Sequence, residues 1–237
     1  MSLLQKLLGR DGTSQARVAK GGNVNVENKT PGVGDAVLLG SYGLSVVTGT
    51  LAAALAASAV VFSARWGDAT KIAVVTSLRS RFLPLTPWTA ATLNDSSSFD
   101  SFIGRTFSAA HTGGTALTLT GNSFKRRASF STTAFTDLRI ATTAALGGGT
   151  VTLDPHPFSQ SLRKANRVNP AAATEEAIVP QADGLTIDFD PGGGGHPILL
   201  VQNEGIVIRN RTVWPVAGTG ILLVEMNWNE YATSSDY

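Results

Sequence analysis

The residues able to do chemistry are few and scattered. Asp188 and Asp190 lie two apart in Leu185-Thr186-Ile187-Asp188-Phe189-Asp190, an alternating run that reads as a strand. Both carboxylates therefore point to one face. Paired carboxylates can serve a glycosidase as acid and base, and with the nearby Asp183 they can ligate calcium. The same alternation puts polar residues on the solvent face without any chemistry. The three histidines, His111, His156 and His196, show no short ligand spacing, and two of them adjoin prolines. A zinc site would require the fold to gather them from distant turns. Gly192 to Gly195 lacks the Lys-Ser/Thr continuation of a phosphate-cradling loop, and Gly113-Gly114 reads as a turn between strands. No Gly-x-Ser-x-Gly elbow is present. The absence of cysteine removes thiolate nucleophiles, thiolate metal sites and disulfides. These residues lead us to expect no enzyme, no cofactor and no metal.

Candidate contact residues are clearer. Lys125-Arg126-Arg127 is flanked by Phe124 and Phe130, a basic and aromatic mixture that can touch single-stranded nucleic acid. The phenylalanine spacing fits core-facing residues better, so an interface or an exposed strand edge is expected and nucleic acid is not. A second basic group, Arg163, Lys164 and Arg167, falls in residues 154–183, which are rich in proline and lack periodicity. A loop of that length in a compact domain is usually functional or an assembly contact. Trp88 and Trp214 each adjoin a proline, Pro87 and Pro215. They fit either interface loops, where tryptophan contributes disproportionately, or loop packing inside the domain.

Charge is more informative by segment than in total. The 237 residues carry a formal charge of only +2, too little for a strong pull toward nucleic acid. Residues 1–34 hold five cations and two acids, a net of +3. Residues 123–168 hold seven cations and two acids, a net of +5. Residues 175–237 hold two cations and nine acids, a net of −7. A basic middle and an acidic end suit contact between copies or with a neighbouring protein, although solvated surface charge explains them equally well.

The elements that must position these residues read as strands. Residues 71–85 alternate, with Ile72, Val74, Leu78 and Phe82 on one face and Ala73, Val75, Arg79 and Arg81 on the other. Residues 94–101 read as a polar loop. Strands are expected over 102–109, 116–120, 124–131, 136–142, 150–153, 185–190, 197–202, 206–209 and 221–230. In the last, Leu222, Val224, Met226 and Trp228 share a face opposite Glu225, Asn227 and Asn229. Residues 36–64 carry no charge over a length that exceeds the ~20 residues of a spanning helix. Their polar residues and the turn at Thr48-Gly49-Thr50 favour two buried strands, and no membrane contact is expected.

Short alternating strands with glycine turns indicate an all-β, antiparallel β-sandwich or jelly roll over residues 35–230. Residues 231–237 read as a loose tail. Residues 1–34 read as an extended arm. Leu3, Leu4, Leu7 and Leu8 form one stripe of a short amphipathic helix, with Ser2 as its cap and Gly9 as its end. So short a helix is marginal alone and needs a partner surface. The start lacks the long apolar run and cleavage site of a secretory signal.

Certain blocks resemble virion proteins of tailed bacteriophages. They are Arg105-Thr106-Phe107-Ser108, residues 113–122 (GGTALTLTGN), residues 137–146 (DLRIATTAAL) with Gly149-Thr150-Val151-Thr152-Leu153-Asp154, and the C-terminal HPILL, QNEGIVIR, AGTG and EMNW. The resemblance spans about residues 36–230 and carries turn and strand chemistry without site chemistry. It implies a structural virion component of β-sandwich fold, present in many copies and assembled in the host bacterial cytoplasm. Such a chain is expected to act as a capsid decoration or cement protein, bound to the major capsid protein or other virion proteins and to like copies as a homo-oligomer. The alternatives are a tail or head-to-tail connector component and a host-surface glycan-binding module.

Overall fold

The structure is a computed structural model. It describes residues 16–18, 24–26, 38–86, 96–121, 124–164, 186–188, 197–214 and 218–232. For residues 16–18, 24–26, 84, 96–97, 161–164 and 186–188 it describes the backbone alone. The stripe Leu3, Leu4, Leu7 and Leu8 lies outside the described residues, as do Trp88, Arg167 and the tail from residue 233.

The chain is all-β, with two antiparallel sheets packed face to face. The larger sheet runs in the order β10 (Ser159–Lys164), β6 (Ser96–Ala109), β13 (Gly205–Asn210), β4 (Val60–Trp66), β8 (Phe135–Ile140) and β7 (Thr115–Ala116). β9 (Thr150–Leu153) also pairs with β6. The smaller sheet runs in the order β11 (Thr186–Asp188), β5 (Lys71–Pro84), β14 (Gly220–Ala232) and β3 (Leu38–Val47), with β12 (Ile198–Leu200) also on β5. β1 (Ala16–Val18) and β2 (Val24–Val26) form a separate two-stranded ribbon. One apolar core joins Tyr42, Leu44, Leu222, Val224 and Met226 of the smaller sheet to Phe62, Ala64, Ile206 and Ile208 of the larger. No helix of the described residues is long and apolar enough to cross a membrane.

β14 alternates without a break. Leu222, Val224, Met226 and Trp228 are fully buried and the residues between them are half-buried, as expected from the sequence. At the Trp228 end an aromatic cluster fills the space between the sheets. Trp228 stacks on Tyr42 at 5.5 Å between ring centroids and meets Phe135 edge-on at 5.2 Å. Phe135 in turn meets Trp66 edge-on at 5.0 Å. Such pairs add about 0.5–1.5 kcal/mol each beyond their area burial.

β5 departs from the simple alternation. Asn227 pairs with Ser77 while Trp228 pairs with Val75, so Thr76 is an extra residue opposite an unbroken β14. Its hydroxyl donates to the Asn227 carbonyl at 3.3 Å. One extra residue flips the side-chain phase of all that follows. Ala73 and Val75 therefore face the core together with Leu78 and Phe82. Ile72 and Val74, expected beside Leu78, lie on the other face in a small cluster with Leu199 and Tyr231.

Other expectations change for identifiable reasons. The uncharged stretch does contain two strands, β3 and β4, but they belong to different sheets. Residues 48–59 cross between the sheets, tied by Thr48 N–H to Leu222 O and Gly49 N–H to Ala141 O. A Cβ on Gly49 would stand 2.7 Å from the Thr142 carbonyl oxygen, so only glycine permits this approach. The serine-rich run expected as a loop begins β6 at Ser96. Its Asp100 is buried and acceptable there because Arg211 Nε donates to both carboxylate oxygens at 3.0 Å. Residues 124–131 form turns in place of a strand, with Lys125 making a single bridge to Tyr42. Of the strand expected at 116–120 only Ala116 is extended, in β7. β10 lies inside the segment expected to be irregular.

Candidate functional site

The basic triplet is divided by the turn that carries it. The Lys125 bridge and the bond from Arg126 N–H to Ser41 O, at 2.9 Å, fix this turn along the free edge of β3. Arg127 is exposed and its carbonyl accepts from Phe130 N–H. Phe124 packs against the core, as its spacing suggests. Arg126 alone reaches over the outer face of the smaller sheet, where it walls a cleft of about 500 Å³.

The floor of this cleft follows from register. Gly43, Asn227 and Ser77 form one cross-strand row, and Ser45, Glu225 and Arg79 form the next. Asn227 is committed at both ends. Its Nδ2 donates to Ser77 Oγ at 2.6 Å, and its Oδ1 accepts from Arg126 Nη2 at 2.6 Å. Glycine at position 43 makes the arrangement possible. A Cβ there would stand 2.7 Å from Asn227 Oδ1 and 3.6 Å from the Arg126 guanidinium. In the second row Arg79 Nη1 stands 3.7 Å from Glu225 Oε2, too far for a hydrogen bond. Both side chains are more than a third exposed, so the pair contributes little to stability.

Several other described arginines are committed elsewhere. Arg65 is paired with Asp137, Arg105 with Asp154 and Arg211 with Asp100. The hydrogen bonds they donate to Asp154 and Asp100 hold Arg105 and Arg211 above the usual arginine range. Arg139 Nη1 donates to the Gly113 carbonyl, and the Arg209 guanidinium lies 4.0 Å over the Phe102 ring. Arg126 bonds to a neutral amide and, among the described residues, has no acidic partner.

The other candidate residues fall elsewhere. Trp214 is a core residue, 2% exposed, and not a contact on the monomer surface. It packs edge-on against Phe82 and Phe99, and its Nε1 donates to Asn210 Oδ1 at 3.0 Å. The loop-packing alternative therefore describes it. Arg163 and Lys164 lie on β10 opposite Ser97 and Ser96. Asp188 lies on β11 opposite Ser77, and Asp183, Asp190 and His196 are outside the described residues. His156 is exposed and His111 is buried. Among the described residues no three metal-ligating side chains converge.

Glu230 and His111 are further buried titratable groups, and Glu230 was not singled out from the sequence. Glu230 is fully buried on the core face of β14. Its Oε1 accepts from Thr133 Oγ1, from Ala134 N–H at 2.9 Å and from Trp228 Nε1 at 3.4 Å. Its Oε2 has no partner. Burial pushes this carboxyl above the usual range, against the pull of those hydrogen bonds. Among the described residues, Glu230 is enclosed by Thr133, Ala134 and Trp228, and His111 by Ser63, Phe107 and Gly149.

His111 shares a hydrogen bond of 2.9 Å with Ser63 Oγ, and Gly149 covers its ring. Burial holds its pKa below the usual value. The unfolded chain therefore takes up the proton first as pH falls below about 6.5. Stability should decline from there toward the folded-state value. Urea midpoints at pH 7.5 and 5.5 should show this decline, and His111→Asn should flatten it. An unchanged slope in the variant would place the dependence elsewhere.

No protein-family model matches the chain, and no curated protein matches it. The site must therefore be read from its own chemistry.

Proposed function

We propose that this chain is a structural protein of a tailed-phage virion, a capsid decoration or cement protein that acts by binding other virion proteins. The supporting observation is the separation of the β1–β2 ribbon from the sandwich. Among the described residues it pairs only with itself. A lone two-stranded ribbon is marginal in water at best and gains stability from a surface to lie on. On this reading residues 1–34 are a latch, with Leu3, Leu4, Leu7 and Leu8 as its apolar contact and the major capsid protein as its seat. The sequence resemblance to phage virion proteins supports the same reading, and the β-sandwich agrees with it.

The mechanism is mass action. A protein that binds only the assembled lattice stabilises that lattice, and many linked copies add avidity. Symmetric contact between like copies would provide the linkage. Deleting residues 1–34 should leave the sandwich folded, with an unchanged thermal melt, yet abolish incorporation into particles. Normal incorporation of the truncated protein would refute the latch. Purified heads that lack tails should retain the full-length protein; its loss from them would move it to the tail or connector.

A further inference from the structure

We propose that the cleft on the outer face of the smaller sheet binds an anionic saccharide, with the carboxylate of a uronic-acid residue on Arg126. The inference is independent of where the protein sits in a particle. It rests on three features of the cleft.

The first is a positioned cation with no acidic partner among the described residues. Arg126 is held by its backbone bond to Ser41 and by Asn227, which is itself locked by Ser77. One guanidinium nitrogen is used, and the remaining fork can take a carboxylate in the paired geometry that arginine favours. Because the side chain is ordered in advance, binding loses less conformational freedom. The second feature is the mixture beside it. Arg79 and Glu225 are close but not hydrogen-bonded, so the row next to the cation presents both donors and acceptors, with the exposed Ser45 hydroxyl. A ring bearing several hydroxyls can use both kinds, whereas inorganic anions can use only donors. Adjacent rows on one face are about 7 Å apart along the strands, so one sugar ring can meet both.

The third feature separates a saccharide from an acidic peptide. Protein contacts depend on large apolar anchors in pockets. Among the described residues this floor offers Gly43, Ser45, Ser77, Arg79, Glu225 and Asn227, while Leu44 is buried in the core and Phe124 in the wall is half-buried. The nearest exposed aliphatic side chains on this face, Val47 and Leu83, lie beyond the two rows. A volume of about 500 Å³ lies within the usual size of ligand sites and holds a short oligosaccharide.

Titration calorimetry of the full chain at low salt tests this, with trigalacturonate, a neutral galactose trisaccharide and a tri-glutamate peptide as probes. Trigalacturonate should bind, and the other two should bind at least about tenfold more weakly. Arg126→Gln should weaken trigalacturonate by about tenfold or more, and Asn227→Ala should weaken it in the same direction while keeping the charge. Lys125→Gln, with the same loss of charge beside the cleft, should leave it unchanged. Ser45→Phe fills an exposed position without removing a bond and should block binding, so the test survives a poorly folded Arg126 variant. Equal binding of the tri-glutamate peptide, equal effects of the Lys125 and Arg126 variants, no effect of Ser45→Phe, or no trigalacturonate binding would each overturn the proposal.

Discussion

Replacing Asn210 by Ala should destabilise the protein by about 2–4 kcal/mol. Asn210 is fully buried at the end of β13. Its Nδ2 donates to Ala56 O at 3.1 Å, to Leu55 O at 3.4 Å and to Thr212 O, and its Oδ1 accepts from Trp214 Nε1. Its backbone N–H donates to Ala59 O, and its carbonyl accepts from Ser58 N–H. One side chain thus holds the inter-sheet crossing of residues 48–59 and the indole that fills the core beneath it. Alanine takes away the acceptor of the buried indole N–H, at about 1–3 kcal/mol where water cannot enter, while the Leu55 and Ala56 carbonyls lose one donor each and keep the backbone N–H groups of Trp214 and Ala59. Asn210→Asp separates shape from chemistry. It keeps the acceptor for Trp214 but turns an acidic oxygen toward carbonyls, so it should cost nearly as much as alanine. Denaturant unfolding of both variants checks this. A mild effect of the aspartate would mean that volume, and not hydrogen bonding, sets the cost.

Glu230 should give the opposite kind of result. Glu230→Gln preserves the Oε1 acceptor used by Thr133, Ala134 and Trp228, and it mimics the protonated acid. Because burial raises the folded-state pKa, the stability supplied by the protonated form is fully present below the unfolded value. It is lost as pH rises through the folded one. The glutamine variant should therefore match the wild type at pH 4 and exceed it increasingly toward pH 8. Among neighbouring titratable groups, Tyr42 is itself pushed up, by burial and in part by Glu230, and Lys71 favours the charged carboxylate. Lys71→Gln should consequently enlarge the difference between the two proteins. Glu230→Leu removes the acceptor shared by Thr133, Ala134 and Trp228, although the indole N–H still reaches Thr133 Oγ1 at 3.3 Å, and should lose about 2–3 kcal/mol at every pH. Parallel stability curves for wild type and glutamine variant between pH 4 and 8 would show that Glu230 does not titrate in this range.

The fold was legible where one periodicity ran unbroken. Leu222, Val224, Met226 and Trp228 could be assigned to the core because β14 is regular over its length. β5 looked equally regular, since Ile72, Ala73, Val74 and Val75 are all apolar and conceal a change of phase. Only the pairing with β14 reveals that Thr76 is extra. Polar strands were missed where distant partners make them tolerable. Asp100 needs Arg211, more than a hundred residues away, before a serine-rich run can enter a sheet. Trp214 was ambiguous for a related reason. Its proline neighbour is a loop signal, while its burial depends on Asn210 accepting its N–H.

The cleft was half legible. Arg79 was already on a face opposite Leu78, and Glu225 and Asn227 on a face opposite Met226. Their adjacency requires the register between β5 and β14, strands about 150 positions apart in the chain. Three consecutive cations read as an interface or an exposed strand edge. The turn separates them because neighbouring residues there point in different directions, and only Arg126 finds the amide that holds it.

The extra residue in β5 also bears on how the strand can change its length. Inward-facing positions are 73 and 75 on one side of Thr76, and 78, 80 and 82 on the other, so odd numbering gives way to even. Removing a residue further away would force the stretch between it and Thr76 to exchange its two walls. Removing Thr76 joins Val75 to Ser77 and leaves every remaining partner on β14 as it was. Shortening by one is thus tolerable at the bulge, and a relative lacking Thr76 would keep the same inner and outer surfaces under a hydrophobic pattern that looks shifted.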